Sequence, residues 1–314
     1  MARILVTGAG GFIGRALCPG LAERGHLVVA GLRRPLAPGA PPIAGAEPRT
    51  LGEIAPGRDW PGALDDVEIV IHLAQLAHRR APGSALAGEP GAAAALARAA
   101  ARTGARRFVY ISSIKAMGEA TRPGQAFRAT DVPHPEDAYG RAKLATERAL
   151  TQVAAETGID LVILRPPLVY GPGVGGNFRA LARLAASGLP LPFAGVDNRR
   201  SLIFLDNLVD LVATAALHPA AARQILLAAD GAGLSTPALI RLLAEGQGWS
   251  ARLFALPEPV FAVLRRLPRL GPVVSPLTLS LQVDDGATRA VLGWTPPVAA
   301  EAGLIATVRA LTAR

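Results

Sequence analysis

The chain has 314 residues, half of them apolar and 18% charged, with a formal net charge of +9. That length suits one large domain, or one domain with a smaller lobe, and the apolar share excludes global disorder. Of the 33 basic residues only Lys115 and Lys143 are lysines, and the arginines stand singly or in pairs, so nucleic-acid binding is set aside in favour of small anionic ligands.

A single cysteine, Cys18, excludes an intrachain disulfide. The opening residues lack the apolar length of a signal peptide, and no run reaches about 18 apolar residues. The expectation is a cytoplasmic protein with no membrane span.

Strand-length apolar runs alternate with helix-length Ala/Leu segments. Ile4–Thr7 reads as a strand, Phe12–Arg24 as a helix and Leu27–Gly31 as a strand. Residues 35–62 read as loop with a short strand near Arg49–Leu51. Val67–Leu73 is an apolar strand, Ser84–Thr103 a helix, Arg107–Ser112 a strand, Ala138–Thr157 a long helix and Leu161–Arg165 a strand. Strands this apolar are buried on both faces, and the alternation implies βαβ units in a doubly wound parallel sheet of the Rossmann type.

Residues 1–165 are therefore read as the dinucleotide-binding domain. Residues 166–314 are read as mainly a smaller C-terminal substrate lobe, with some segments returning to the first domain. In that half, helices are expected at 177–187, 206–217, 236–246 and 299–312. The amphipathic 258–267 segment is expected to pack on the lobe surface rather than on a membrane.

Three motifs carry chemistry. The run Gly8-Ala-Gly-Gly-Phe-Ile-Gly14 follows a strand and opens a helix. Gly8 permits the tight turn, Gly11 lets the backbone approach a pyrophosphate and Gly14 lets the helix pack close. Phe12 and Ile13 belong to the same cofactor-binding turn, whose phosphates would meet the helix N-terminus. After the second strand stand Arg33 and Arg34 in place of the carboxylate that would bind a ribose 2′-hydroxyl. Two guanidiniums suit a 2′-phosphate, which favours NADP, with NAD as the alternative.

Second, Tyr139 and Lys143 stand four apart on one helix and share a face. A nearby ammonium and a cationic oxidised nicotinamide would favour the phenolate. Third, Ser112 and Ser113 end the fifth strand, and strand carboxyl ends face the ligand crevice of such sheets. The histidines are dispersed, so no metal is expected, and the G-x-S-x-G context of a hydrolase is absent.

These motifs in this order resemble the extended short-chain dehydrogenase/reductase superfamily and, within it, the NAD-dependent epimerase/dehydratase family. The resemblance runs through TGAGGFIG, VIHLA, SSIKAMGE, YGRAK, LRPPLVYGPG, NRRSLIFLDNLVD and LGWTPP. It is most like bacterial nucleotide-sugar 4-epimerases and 4-keto-sugar reductases of polysaccharide pathways.

The resemblance implies that Tyr139 is the acid/base, with Lys143 its partner and a ligand of the nicotinamide ribose. It makes Ser113 the catalytic hydroxyl and Ser112 its neighbour on the cofactor. Glu53 and Ile54 would flank adenine, Leu73, Ala74 and Gln75 would line the cofactor, and Pro166 and Pro167 would face the nicotinamide. Asn177 and Arg200 would hold the substrate's diphosphate or ribose.

The sequence departs from the family at Gln75, where Ala is usual, at Glu89, where Asn is common, and at Phe204 and Asn207. It also lacks an Arg within 270–285, for which Arg269 is a candidate replacement. The expected activity is hydride transfer at C4 of a UDP-hexose or UDP-N-acetylhexosamine. The alternatives are an NADPH-dependent reductase of a 4-keto sugar nucleotide or another carbonyl compound, and a non-catalytic dinucleotide sensor. A homodimer through the two long helices is a further possibility. A dehydratase is disfavoured because Ile114 and Lys115 stand where that subclass carries Asp-Glu.

Overall fold

Parallel pairing organises the apolar runs of the N-terminal half. The computed structural model describes residues 1–60, 62–74 and 83–312. Its strands are β1 (Arg3–Thr7), β2 (Leu27–Leu32), β3 (Ala46–Thr50), β4 (Ile69–His72), β5 (Arg107–Ile111), β6 (Asp160–Arg165), β7 (Leu168–Tyr170), β8 (Leu202–Phe204) and β9 (Ile225–Leu227). Its helices are α1 (Phe12–Ala22), α2 (Gly83–Arg102), α3 (Ala138–Thr157), α4 (Gly176–Ala185), α5 (Leu205–Leu217), α6 (Thr236–Glu245), α7 (Glu258–Arg266), α8 (Gly271–Thr278), α9 (Gly286–Leu292) and α10 (Ala300–Thr312).

Seven strands form one parallel sheet in the order β3-β2-β1-β4-β5-β6-β9. The chain steps outward from β1 to β3 and then returns to the other side of β1 as β4. A ligand crevice opens outside the strand ends at such a reversal.

The period-2 geometry of the strands splits their side chains between two cores. Ile4, Val6, Ile69, Ile71, Val109 and Ile111 pack with Leu17 and Leu21 of α1 and Leu208 and Val212 of α5. Leu5, Val70, Phe108 and Tyr110 pack on the opposite face with Leu96 of α2 and Leu150 and Val153 of α3. The expected doubly wound Rossmann sheet is the observed fold.

Some boundaries differ. The short strand expected at Arg49–Leu51 runs from Ala46 to Thr50 beside β2. It accommodates Pro48 because it is an edge strand, where a missing N–H costs little. The fourth strand begins at Ile69 because the Val67 N–H closes a turn on Leu64.

The C-terminal half does not form one separate body. Helix α5 packs beside α1 and β9 joins the main sheet. Helices α4, α6, α7, α8 and α10 gather around Tyr170, Phe178, Phe193, Phe204, Leu243 and Phe261, beside the two-stranded sheet β7-β8, while Leu292 of α9 and Trp294 join the core of the main sheet. The amphipathic α7 buries Phe261 against Phe193, ring centroids 6.1 Å apart, and leaves Val263 57% exposed. Asn207 holds the Asp230 carboxylate at 2.8 Å and the Val298 carbonyl at 2.8 Å, and the Tyr170 hydroxyl donates to the same carboxylate. Among the described residues no helix is long and apolar enough to cross a membrane.

Candidate active site

The Gly-rich turn between β1 and α1 is shaped by close approach. Gly8 adopts φ +71°, and a Cβ there would lie 2.8 Å from the Ala74 nitrogen. A Cβ on Gly14 would sit 2.5 Å from the Gly8 carbonyl oxygen and 2.6 Å from the Ala9 Cα, so the close packing expected of Gly14 is present. No side chain caps the first turn of α1, which leaves its N–H groups for an anion.

Gly8, Gly11, Arg33, Glu53, Ile54, Ala74 and Glu89 line one cavity of about 550 Å³ at the strand ends. A cavity of this volume with glycines at a helix N-terminus fits a dinucleotide. Of the expected arginine pair, both exposed, Arg33 lines this wall and Arg34 does not, because successive residues leaving a strand face opposite ways. Phe12, Ile13 and Leu73 pack against the core beneath the turn. Gln75 lies outside the described residues.

The second motif is placed by the start of α3. Asp137 caps the helix, accepting from the Gly140 N–H at 2.6 Å. Gly140 lies between Tyr139 and Lys143 for a steric reason, since a Cβ there would collide with the Lys115 carbonyl oxygen. The helix thus lies close against the loop after β5, and Tyr139 reaches Ser113 through a side-chain hydrogen bond. Ser113 also caps the short turn that follows, accepting from the Lys115 N–H at 3.2 Å.

Lys143 is fully buried. Its ammonium donates to the Tyr110 hydroxyl at 3.1 Å and to the Ile111 carbonyl at 3.3 Å, and lies 5.6 Å from the Tyr139 ring centroid. Burial pulls its pKa down to about 8, with the Glu89 carboxylate opposing the fall. Burial, and then the Glu89 charge, push the Tyr139 phenol up to about 12, against the Ser113 hydrogen bond. Burial thus favours the protonated phenol at neutral pH, and added positive charge nearby would favour the phenolate.

Ser112 departs from its expected place on the cofactor. Its hydroxyl donates to Glu147 at 2.5 Å in the interior. Glu147 in turn accepts from Arg165 Nε at 2.9 Å and Nη2 at 2.5 Å. Alternation along β5 sends the two serines opposite ways, one to the cavity and one to the core. Pro166 also differs, because its carbonyl is taken by the Ile114 N–H at 2.9 Å, whereas Pro167 lines a second cavity.

That second cavity, about 820 Å³, lies between the sheet and the C-terminal segments, with Ser113, Lys115, Asn177, Arg200, Arg265 and Arg266 in its wall. Arg200 is held by a bond from Nη1 to the Leu279 carbonyl at 3.0 Å, and burial lowers its pKa to about 10. Arg269 is not in this wall. The basic residues that sequence reasoning sought near 270–285 come instead from α7. A cluster that it missed is Lys115, whose ammonium bonds Glu119 and Asp137 at 2.7 Å each beside Ser113. Burial works against the Lys115 charge, but these two hydrogen bonds outweigh it and raise its pKa. Ser113 thus opens on the second cavity, while Glu89, the neighbour of Lys143, opens on the first.

The sequence model of the NAD dependent epimerase/dehydratase family matches residues 4–228. The chain belongs to this family. It is similar to a UDP-glucose 4-epimerase of Vibrio cholerae, 36% identical over 319 residues, covering 98% of this chain and 94% of that protein. It is also similar to a UDP-2-acetamido-2,6-beta-L-arabino-hexul-4-ose reductase of Pseudomonas aeruginosa, 25% identical over 66% of this chain and 47% of the relative. Among solved structures, MoeE5 in complex with UDP-glucose and NAD superposes with a TM-score of 0.78 at 25% identity, covering 99% of both chains. The protein is thus an NAD(P)-dependent enzyme of the extended short-chain dehydrogenase/reductase type.

Proposed function

We propose that this enzyme inverts C4 of a UDP-hexose or UDP-N-acetylhexosamine. The observation that carries the reading is the Ser113–Tyr139–Lys143 cluster, with Ser113 on one cavity and Lys143 beside the other. Names of similar proteins, a UDP-glucose 4-epimerase and a complex with UDP-glucose and NAD, support the substrate class.

When bound, the nicotinamide supplies hydride exchange and a positive charge. Gly8, Gly11, Glu53, Ile54 and Ala74 are the residues that would hold the dinucleotide. Tyr139 takes the proton of the C4 hydroxyl and later returns it. Ser113 holds the same sugar oxygen and fixes the phenol's direction. The Lys143 ammonium lowers the cost of a negative phenolate. Arg200, with Arg265 or Arg266, meets the diphosphate, and Asn177 at the start of α4 adds a donor. A cavity of about 820 Å³ has room for a nucleotide sugar and for the keto sugar to turn over within it.

A second reading is an NADPH-dependent reductase of a 4-keto sugar nucleotide. Arg33 in the wall of the first cavity favours it, since a guanidinium suits a 2′-phosphate. In either reading the enzyme works in the cytoplasm and pairs as a homodimer through α2 and α3, which light scattering would register as a mass near twice 32.3 kDa.

The deciding experiment denatures the purified protein, identifies any released dinucleotide by mass spectrometry, and follows UDP-sugars by NMR. Retained NAD, with UDP-glucose and UDP-galactose or their N-acetylamino forms interconverting without added reductant, supports the epimerase. Stoichiometric NADPH consumption with a 4-keto-6-deoxy sugar nucleotide, and no interconversion, overturns it in favour of the reductase.

A further inference from the structure

Glu89 takes no part in the steps above, yet it is the most unusual charge in the site. It lies on α2, is 7% exposed, and among the described residues neither carboxylate oxygen has a hydrogen-bond partner within 3.5 Å. Buried carboxylates are costly unless paired or hydrogen-bonded. Its Oε1 lies 3.6 Å from the Lys143 ammonium, and the side chain lines the dinucleotide cavity.

We propose that Glu89 is the counter-ion of Lys143, a positioning residue that keeps the ammonium charged beside Tyr139. The inference rests on the proposed role of Lys143 as partner of Tyr139.

The neighbours of Lys143 leave the task to Glu89. From β4, His72 is held neutral: burial, and then the Lys143 charge, pull its pKa down to about 3. From β5, the Tyr110 phenol is kept protonated by burial, with the Glu89 charge second. From α3 come Tyr139 itself and Glu147, and the Glu147 carboxylate is committed to Arg165 of β6 and to Ser112. Asp137 and Glu119 are committed to Lys115. Among the described residues, Glu89 is the carboxylate within ion-pair distance of Lys143.

The placement does two things at once. It resists the loss of the Lys143 proton that burial favours, and it opposes phenolate formation at Tyr139. Positive charge entering the cavity would then favour the phenolate, and the ammonium is still present when it does.

The composition makes a direct test possible. With only Lys115 and Lys143 in the chain, 13C-labelling of lysine Cε gives two side-chain NMR signals, assigned with Lys115→Arg. In the cofactor-free protein, Lys143 should titrate near pH 8. Glu89→Gln should move that midpoint down by about one pH unit or more. Glu89→Asp, which keeps the charge on a shorter stem, should move it less.

In turnover assays the alkaline limb of kcat should shift down with the NMR midpoint in Glu89→Gln, while KM for the sugar nucleotide stays in place. An unchanged Lys143 midpoint in Glu89→Gln overturns the proposal. So does a larger shift in Glu89→Asp than in Glu89→Gln, which also serves if the Gln variant folds poorly. The titration needs no substrate, so its failure is separate from failure of the epimerase reading, which the UDP-sugar assay measures on the wild type.

Discussion

The cavity that Ser113 lines and the cavity that Glu89 lines are built from different materials. The proposed dinucleotide cavity has much backbone in its wall: the glycine turn and the ends of β1, β2 and β4, fixed by the register of one sheet, are joined by the 51–56 loop and by Glu89 of α2. The sugar cavity is walled mostly by side chains from elements outside the seven-stranded sheet, among them Asn177 of α4, Arg266 of α7 and Leu277 of α8. Backbone walls tolerate little change, because a single added carbon collides, whereas side-chain walls can be exchanged one at a time. Substrate choice can therefore vary in the second cavity while the first keeps one cofactor class.

The largest expected effect comes from cutting the link between the cavities. Tyr139→Phe should lower kcat by about 10²–10⁴-fold, the usual contribution of a positioned acid/base. The affinity for the dinucleotide, measured by titration, should change little. Turnover near wild type would remove the phenol from the mechanism and leave the two cavities chemically unconnected.

Next comes the seam behind Ser113. Arg165 and Glu147 are 3% and 4% exposed, and Arg165→Met leaves the carboxylate charged and unpaired. Removing one partner of a buried pair costs about 3–5 kcal/mol, whereas replacing both can be neutral. Urea unfolding should show the single variant strongly destabilised and Arg165→Met with Glu147→Leu recovering much of the loss. Equal stability of the single variant and the wild type would mean that this pair does not hold α3 to β6.

A smaller effect tests the glycine turn directly. Gly14→Ala places a Cβ 2.5 Å from the Gly8 carbonyl oxygen, so α1 must shift. Overpacking of this kind costs about 1–3 kcal/mol, and dinucleotide affinity should fall with it. Gly10→Ala is the control, since nothing lies within 4 Å of a Cβ there. Similar losses at both positions would show that the turn is sensitive to any added carbon rather than to contact.

The same difference in material explains what the sequence revealed. Strand periodicity and the Gly8–Gly14 spacing are local, so the sheet, the turn and the Tyr139/Lys143 face were all legible. Helix α8 was hidden because Pro272 and Pro276 read as loop, although Pro272 sits in the first turn where its missing N–H costs nothing. Strand β9 is only three residues long and gains its identity from pairing with β6. The opposite directions of Ser112 and Ser113 depend on where β5 ends, a boundary one residue earlier than the apolar run suggests. Glu89 stood out in the sequence only as an unusual residue type. Its meaning needs the 3.6 Å approach of Lys143 from a helix more than fifty residues away.

The smallest expected effect concerns Arg33, and it separates the two functional readings most cleanly. Arg33 is exposed at the rim of the first cavity, with Glu53 in the same wall. If NAD is the working cofactor, no phosphate stands on the adenosine ribose for the guanidinium to meet. Arg33→Ala should then change NAD affinity by only about 0.5 kcal/mol, roughly twofold, as surface substitutions usually do. If NADPH is the working cofactor, the guanidinium forms charge-assisted bonds of about 1.5–3 kcal/mol, and the same variant should lose roughly tenfold or more in NADPH affinity. Calorimetric titration with both dinucleotides distinguishes these cases. An equal loss for both would assign Arg33 to the adenine face, since a stacked guanidinium contacts a part that the two cofactors share.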